Sequence, residues 1–125
     1  MLILFVDDDV EEFEIFCEAL KTFNTVCKCL HVYDGQEAFD LLNNKLTILP
    51  DYIFLDINMP VMNGMECLQK IKAEPKLRDI PVIVYSTTSN PFEMGIYRNL
   101  GAAEFIVKPS SFIKLVNILR QFVER

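Results

Sequence analysis

Short apolar runs alternate along the chain with stretches in which apolar residues recur every three or four positions. A short apolar run is typical of a strand buried on both faces, and the wider spacing is typical of an amphipathic helix. Five segments are predicted as strands: LILFV, CKCLHV, YIFLD, VIVYS and EFIVK. Five are predicted as helices: VEEFEIFCEALKTF, QEAFDLLNN, MECLQKIKA, PFEMGIYRNL and SSFIKLVNILRQFVE.

Strands that alternate with helices predict an α/β fold, a doubly wound parallel sheet with helices on both faces. Turn-forming pairs lie at the predicted element boundaries: Asp34-Gly35, Asn63-Gly64, Glu74-Pro75 and Asn90-Pro91, with Gly101 before the last strand. A length of 125 residues is usual for one domain, and no shift in composition indicates a linker. We therefore expect residues 1–125 to form a single domain.

The net charge of the chain limits the kinds of partner that it can bind. Twelve Lys and Arg stand against 18 Asp and Glu, and the net charge of -6 opposes general binding to nucleic-acid phosphates or to an anionic membrane surface. The opening MLILFV lacks the basic flank of a signal peptide, and no apolar run approaches the roughly 18 residues of a membrane span. These features predict a cytoplasmic protein with protein partners.

The cysteines and the histidine are expected to be structural. Cys17, Cys27, Cys29 and Cys67 lie in or beside apolar stretches, and the spacing of Cys27 and Cys29 is not that of a zinc knuckle. We expect reduced, partly buried thiols. His31 lies in an apolar strand and is predicted to be a packed or surface histidine, away from the edge of the sheet that would bind a ligand.

Polar side chains end four of the predicted strands. In a sheet of this kind ligands bind beyond the carboxyl ends of the strands. The first strand ends on Asp7 and Asp8, the third on Asp56, the fourth on Ser86 and the fifth on Lys108. Acyl transfer is not favoured, because no histidine stands near to act as a base. Carboxylates, a hydroxyl and an ammonium instead suit Mg2+ and a phosphoryl group, whose oxygens need neutralising.

Five motifs in order carry a resemblance that covers the whole chain: FVDDD, YDGQEAFDLL, PDYIFLDINMPVMNG, IPVIVYSTTS and GAAEFIVKP. With them the chain resembles a response-regulator receiver domain, the phosphoacceptor half of a two-component signalling system. The resemblance implies a flavodoxin-like fold of five parallel strands in the order 2-1-3-4-5 with five surrounding helices, which agrees with the strand and helix pattern.

The resemblance also implies roles for the strand-end residues. Asp56 would accept a phosphoryl group from the phosphohistidine of a sensor histidine kinase or a histidine phosphotransfer protein. Ser86 and Lys108 would each donate to a phosphoryl oxygen. Such a protein is a signalling phosphoacceptor and not an enzyme acting on other substrates.

Mg2+ is the cofactor that the resemblance implies. Asp8 and Asp56 would bind the metal directly, Asp7 through a water molecule, and Asn58 through its backbone carbonyl. Met59-Pro60 and Gly64 fit the loop that follows the acceptor in this family.

The acids that follow Asp8 have a structural explanation. Asp9 lies where the first helix begins, and Glu12 follows three residues later, which is the spacing of a capping box. Glu11 and Glu12 also suit the positive end of the helix dipole. Capping does not explain acids at two neighbouring strand ends, so Asp7, Asp8 and Asp56 are predicted to be functional.

The resemblance implies a route by which the signal leaves the site. Phosphate would draw Ser86 inward, the ring of Phe105 would turn into the vacated space, and the face formed by the fourth helix, fifth strand and last helix would repack. We expect this face to bind a protein partner or to form a symmetric homodimer. It would draw on Met94, Tyr97, Phe105, Lys114 and Asn117.

Two other classes of protein use similar groups on a similar sheet. A haloacid-dehalogenase-like phosphatase has a second acid two residues after its aspartate nucleophile, where this chain has Asn58. A flavodoxin-like electron carrier could place an FMN phosphate near the hydroxyl-rich STTS, but its phosphate loop follows the first strand, where this chain has aspartates that would repel phosphate.

Overall fold

A computed structural model of the chain describes residues 1–24, 26–57 and 62–123. Numbered in chain order, strands β1 to β5 span Leu2–Val6, Lys28–Val32, Tyr52–Leu55, Val82–Ser86 and Glu104–Val107. Helices α1 to α5 span Val10–Lys21, Gly35–Asp40, Gly64–Ala73, Pro91–Asn99 and Phe112–Val123.

All four strand pairs are parallel, and the strand order is β2-β1-β3-β4-β5. This confirms the predicted fold and strand order. The chain moves outward from β1 to β2 and then crosses to β3 on the other side of β1, so the order reverses between β1 and β3. The carboxyl ends of β1 and β3 therefore flank the place where such sheets bind ligands.

The central strands β1, β3 and β4 are buried on both faces of the sheet, which explains why they are apolar. Ile3 and Phe5 belong to a core cluster shared with α1 and α5, whereas Leu4 and Val6 belong to a second cluster shared with α2, α3 and α4. Side chains alternate between the two faces along a strand, so a strand covered on both sides must be apolar at every position.

Among the helix boundaries that differ from the sequence prediction, two have a local explanation. After Asp40 the chain widens into a π-helical turn, Leu41–Lys45, whose Asn43 carbonyl accepts a hydrogen bond of 2.6 Å from Lys76 Nζ. The last helix begins at Phe112 and not at Ser110, because the Oγ of Ser111 accepts a hydrogen bond from the backbone N–H of Lys114 at 3.2 Å.

All four cysteines are free thiols, with Cys67 buried and Cys17, Cys27 and Cys29 half-buried, as predicted. No helix in the described ranges is both long enough and apolar enough to cross a membrane.

Gly64 allows α3 to start close against the end of β3. A Cβ atom at this position would lie 2.5 Å from the Cα of Ile57 and 2.7 Å from the carbonyl oxygen of Asp56. Both distances are shorter than van der Waals contact and involve backbone atoms, which cannot turn aside as a side chain can. Glycine is therefore required here by close approach, directly behind the carboxylate that ends β3.

We expect Gly64→Ala to lower the free energy of unfolding by about 1 to 3 kcal/mol, since the added methyl group forces the backbone to move. Gly95 in the middle of α4 is the matched control, because a Cβ there would meet no atom within 4 Å. Gly95→Ala should raise the free energy of unfolding by roughly 0.5 to 1 kcal/mol through helix propensity. Urea unfolding of both variants measures the difference, and a Gly64→Ala protein as stable as wild type would contradict the packing explanation.

Candidate phosphoryl and metal site

Backbone hydrogen bonds hold two of the predicted acids side by side. The backbone N–H of Asp7 donates to the carbonyl of Val32 at 3.1 Å, and that of Asp56 donates to the carbonyl of Val6 at 2.9 Å. Both acids thus continue the hydrogen-bond ladder one residue beyond their strands. Their positions are set by the sheet itself and not by a flexible loop.

Ser86 and Lys108 are placed in the same way on the other side of β3. The backbone N–H of Lys108 donates to the carbonyl of Ser86 at 2.7 Å. Ser86 is fully buried, and its Oγ accepts a hydrogen bond from the backbone N–H of Thr88 at 3.3 Å. The Nζ of Lys108 lies 3.2 Å from Asp7 Oδ2 and 4.0 Å from Asp56 Oδ1. The lysine from β5 thus reaches the acids of β1 and β3, as the strand ends predicted.

Asp7, Asp8 and Asp56 each offer a carboxylate oxygen, and these three atoms lie within 4.8 Å of one another. Asp7 and Asp56 are buried, whereas Asp8 is exposed. Mg2+ prefers carboxylate and carbonyl oxygens and keeps several waters, so this donor set, open to solvent at Asp8, fits that ion. The expected fourth ligand, Asn58, and the neighbouring Met59-Pro60 lie outside the described residues.

Burial makes the ionised form of Asp7 costly. The pKa of its carboxyl group is raised to about 7, first by burial, then by a hydrogen bond with Glu12 and by the negative charge of Asp56. The backbone N–H of Asp9, which donates to Asp7 Oδ1 at 2.9 Å, and the Lys108 ammonium act in the opposite direction. A proton or a cation therefore stabilises this cluster.

Glu12 belongs to the site, although the sequence pattern assigned it to a capping box and to the helix dipole. Asp9 does cap α1, because its Oδ1 accepts hydrogen bonds from the backbone N–H groups of Glu11 at 2.9 Å and Glu12 at 3.4 Å. The capping-box prediction for Glu12 was wrong, whereas its expected place in the first turn of α1 is confirmed. The backbone N–H of Asp9 is already bound to Asp7, and the Oε2 of Glu12 instead accepts a hydrogen bond from Lys108 Nζ.

The Lys108 ammonium is held by opposite charges. Burial lowers the pKa of Lys108, but its hydrogen bond with Glu12 and the charges of Asp56 and Asp7 outweigh burial, so the pKa is raised. The ammonium also lies 5.4 Å from the centre of the Tyr85 ring. Lys108 is therefore firmly cationic.

His31 is a packed histidine, as predicted, but the expectation that it lies away from the site was wrong. Its Nε2 is 2.8 Å from the backbone carbonyl oxygen of Asp7, and a carbonyl can only accept, so Nε2 is the donor. The imidazole stacks on Phe13 with ring centres 4.4 Å apart. The edge strand β2 thus supports the backbone of a site residue.

Some residues of the face formed by α4, β5 and α5, which is expected to carry the signal, are buried in this structure. Phe105 and Tyr97 are buried, with ring centres 6.0 Å apart, while Met94 is half-buried and Lys114 and Asn117 are exposed. Lys114 and Asn117 are therefore the residues of this face most open to a partner. The homodimer through this face stays a prediction.

Known proteins are similar to this chain in both sequence and fold. Residues 3–120 match the family model described as the response regulator receiver domain. The protein-glutamate methylesterase/protein-glutamine glutaminase of Clostridium acetobutylicum is 36% identical over 126 residues, a region that covers 98% of this chain and 35% of that protein. The chain spans less than two thirds of the length of the curated relatives that it matches, among them a chemotaxis protein CheY homolog of Campylobacter jejuni, of which it covers 60%.

Two solved structures show how closely the fold agrees. The phosphorylated cyanobacterial phytochrome response regulator RcpA is 31% identical with a TM-score of 0.88, and the match covers 98% of this chain and 91% of RcpA. The Mn(2+)-bound form of response regulator Rcp1 is 27% identical with a TM-score of 0.84, covering 97% and 90% of the two chains. The sheet order, the acids at the ends of β1 and β3 and the match over residues 3–120 lead to one conclusion: the chain belongs to the family of response regulator receiver domains.

Proposed function

We propose that this receiver domain accepts a phosphoryl group on Asp56 from the phosphohistidine of a sensor histidine kinase or a histidine phosphotransfer protein. The observation that carries the proposal is the position of Asp56. One of its carboxylate oxygens lies within 4.8 Å of those of Asp7 and Asp8, and its Oδ1 lies 4.0 Å from the Nζ of Lys108. A carboxylate oxygen of Asp56 attacks phosphorus, the N–P bond to imidazole breaks, and its electron pair returns to the ring nitrogen, which takes up a proton. The product is an acyl phosphate.

The surrounding groups suit the charge on a transferring phosphoryl group. Lys108 and the hydroxyl of Ser86 would donate to its oxygens. Asp7, Asp8 and Asp56 would hold Mg2+, which when bound supplies positive charge to the phosphoryl oxygens. RcpA is described as phosphorylated and Rcp1 as Mn(2+)-bound, and both descriptions support the same chemistry here.

The proposed role is that of a signalling phosphoacceptor which modifies itself and passes the signal to a downstream protein. The dehalogenase-like alternative is not favoured, because residue 58 is Asn where that class has its second acid. The FMN carrier is not favoured either, because the carboxylates of Asp7 and Asp8 stand where its phosphate loop would lie.

Acetyl phosphate with Mg2+ is expected to add one phosphoryl group to the protein, since the small donor needs no kinase surface. Intact mass spectrometry should show a single adduct that hydroxylamine removes, as an acyl phosphate requires. Asp56→Asn should show none. An adduct of the same yield in Asp56→Asn would contradict the assignment of the acceptor.

Mg2+ should stabilise the fold, because a cation relieves the repulsion among three neighbouring carboxylates. At ten times its Kd the gain is about 1.4 kcal/mol, seen as a rise in Tm. Asp8→Ala should fold and lose this gain. The control is Asp9→Asn, which keeps the cap of α1 and should retain the response to Mg2+. A Tm that still rises normally with Mg2+ in Asp8→Ala would count against Asp8 as a ligand.

The raised pKa of Asp7 predicts a pH dependence of the metal-free protein. Between about pH 4 and about pH 7 the folded state binds a proton at Asp7 that the unfolded chain releases, so this group makes the free energy of unfolding fall as pH rises. Asp7→Asn removes that fall, and its stability relative to wild type should improve across the same interval. Urea unfolding in EDTA measures it, and parallel curves for the two proteins would disprove the assignment.

A further inference from the structure

Lys108 lies among three carboxylates that compete for its ammonium. The Nζ donates to Glu12 Oε2, lies 3.2 Å from Asp7 Oδ2, and is 4.0 Å from Asp56 Oδ1. The ammonium is therefore bound to Glu12 and Asp7 and is beyond hydrogen-bond distance of the proposed acceptor.

Glu12 reaches the site because of where α1 begins. The cap by Asp9 starts the helix at Val10, so Glu12 lies in the first turn, next to the carboxyl end of β1. The Glu12 side chain is 34% exposed and that of Lys108 is 13% exposed. An ion pair that is partly removed from water is screened less than one on the open surface.

The contact of Glu12 conflicts with the proposed role of Lys108. A phosphoryl group on Asp56 would need the ammonium, whose three donors are already directed in part to Glu12 and Asp7. The carboxylate of Glu12 would also add negative charge near the incoming phosphoryl oxygens. A cavity of about 440 Å³ between α1 and α5, lined by Glu12, Lys108 and Phe112 among others, leaves room for the released Glu12 side chain.

We propose, on the basis of the function proposed above, that Glu12 is a positioning residue. It holds Lys108 in the unphosphorylated site and competes with the phosphoryl group for the ammonium. The strength of this ion pair thereby sets how tightly the site holds a phosphoryl group on Asp56. Removing the charge of Glu12 should strengthen binding of a phosphoryl mimic, in contrast to the loss expected on removing Lys108.

Beryllofluoride with saturating Mg2+ is the probe, and its bound fraction can be followed by fluorine NMR in a chain that contains no Trp for a fluorescence assay. Glu12→Gln should bind beryllofluoride about three- to tenfold more tightly, the scale set by losing one partly buried competing ion pair. Glu11→Gln is the matched control, since it removes the same charge from the neighbouring exposed position and should bind like wild type.

A double variant tests whether the effect passes through Lys108. In a Lys108→Met background, Glu12→Gln should bring no gain, whether that background binds beryllofluoride weakly or not at all. A gain of the same size there, or an equal gain in Glu11→Gln, would overturn the inference, because either result shows a general effect of charge.

The remaining outcomes separate this inference from the proposed function. If wild type takes up no beryllofluoride in Mg2+, the proposed function fails. If wild type binds beryllofluoride and Glu12→Gln binds it equally or less tightly, the phosphoacceptor role stands and the competition by Glu12 is wrong. Urea unfolding confirms that each variant is folded before its affinity is compared.

Discussion

The site depends on one electrostatic constraint, which is the repulsion among carboxylates that the sheet forces together. Asp7 and Asp56 are brought together by backbone hydrogen bonds of adjacent parallel strands, so they cannot separate without breaking the ladder. Carboxyl groups at such distances resist ionisation, because each negative charge opposes the next, unless a cation or a proton shares the site. Lys108 supplies positive charge from β5, and the fit to a divalent cation follows from the charge that remains. In the proposed function, the acids would favour binding of a metal, and the lysine with the metal would favour binding of a phosphoryl group.

Lys108 also offsets part of the electrostatic cost of bringing these acids together. Its ammonium satisfies Asp7 and Glu12 when no phosphoryl group is present, which offsets the cost of burying Asp7. In the proposed function, the lysine that balances the charge of these acids would have to change partners when a phosphoryl group binds. Resting stability and phosphoryl affinity would then oppose each other at Lys108.

The sequence predicts the fold and the strand-end residues for a single reason. A residue that directly follows a buried parallel strand has its position determined by local pattern and strand order, so Asp7, Asp56 and Lys108 could be located from the sequence. Glu12 could not. Its partner Lys108 is 96 residues away, and its spacing from Asp9 is equally typical of a capping box. The backbone N–H that would have closed that box is bound by Asp7, a contact that only the folded chain reveals.

The contact of His31 with the Asp7 carbonyl was missed for a similar reason, because strand periodicity assigns a residue to a face of the sheet but does not say what its side chain can reach.

The placement of the site on the backbone ladder has a consequence for how such domains diverge. Because Asp7, Asp56 and Lys108 are held by main-chain hydrogen bonds between neighbouring strands of the sheet, the outer faces of the helices contribute little to their alignment. Substitutions on those outer faces can accumulate without moving the reactive groups. If the backbone aligns the site while the outer surfaces of the helices are free to change, related domains should keep the fold at low sequence identity. The likeness to RcpA, with a TM-score of 0.88 at 31% identity, agrees with this. A lineage can thus retain the reactive residues at the strand ends while substitutions on its helical surfaces adapt it to new protein partners.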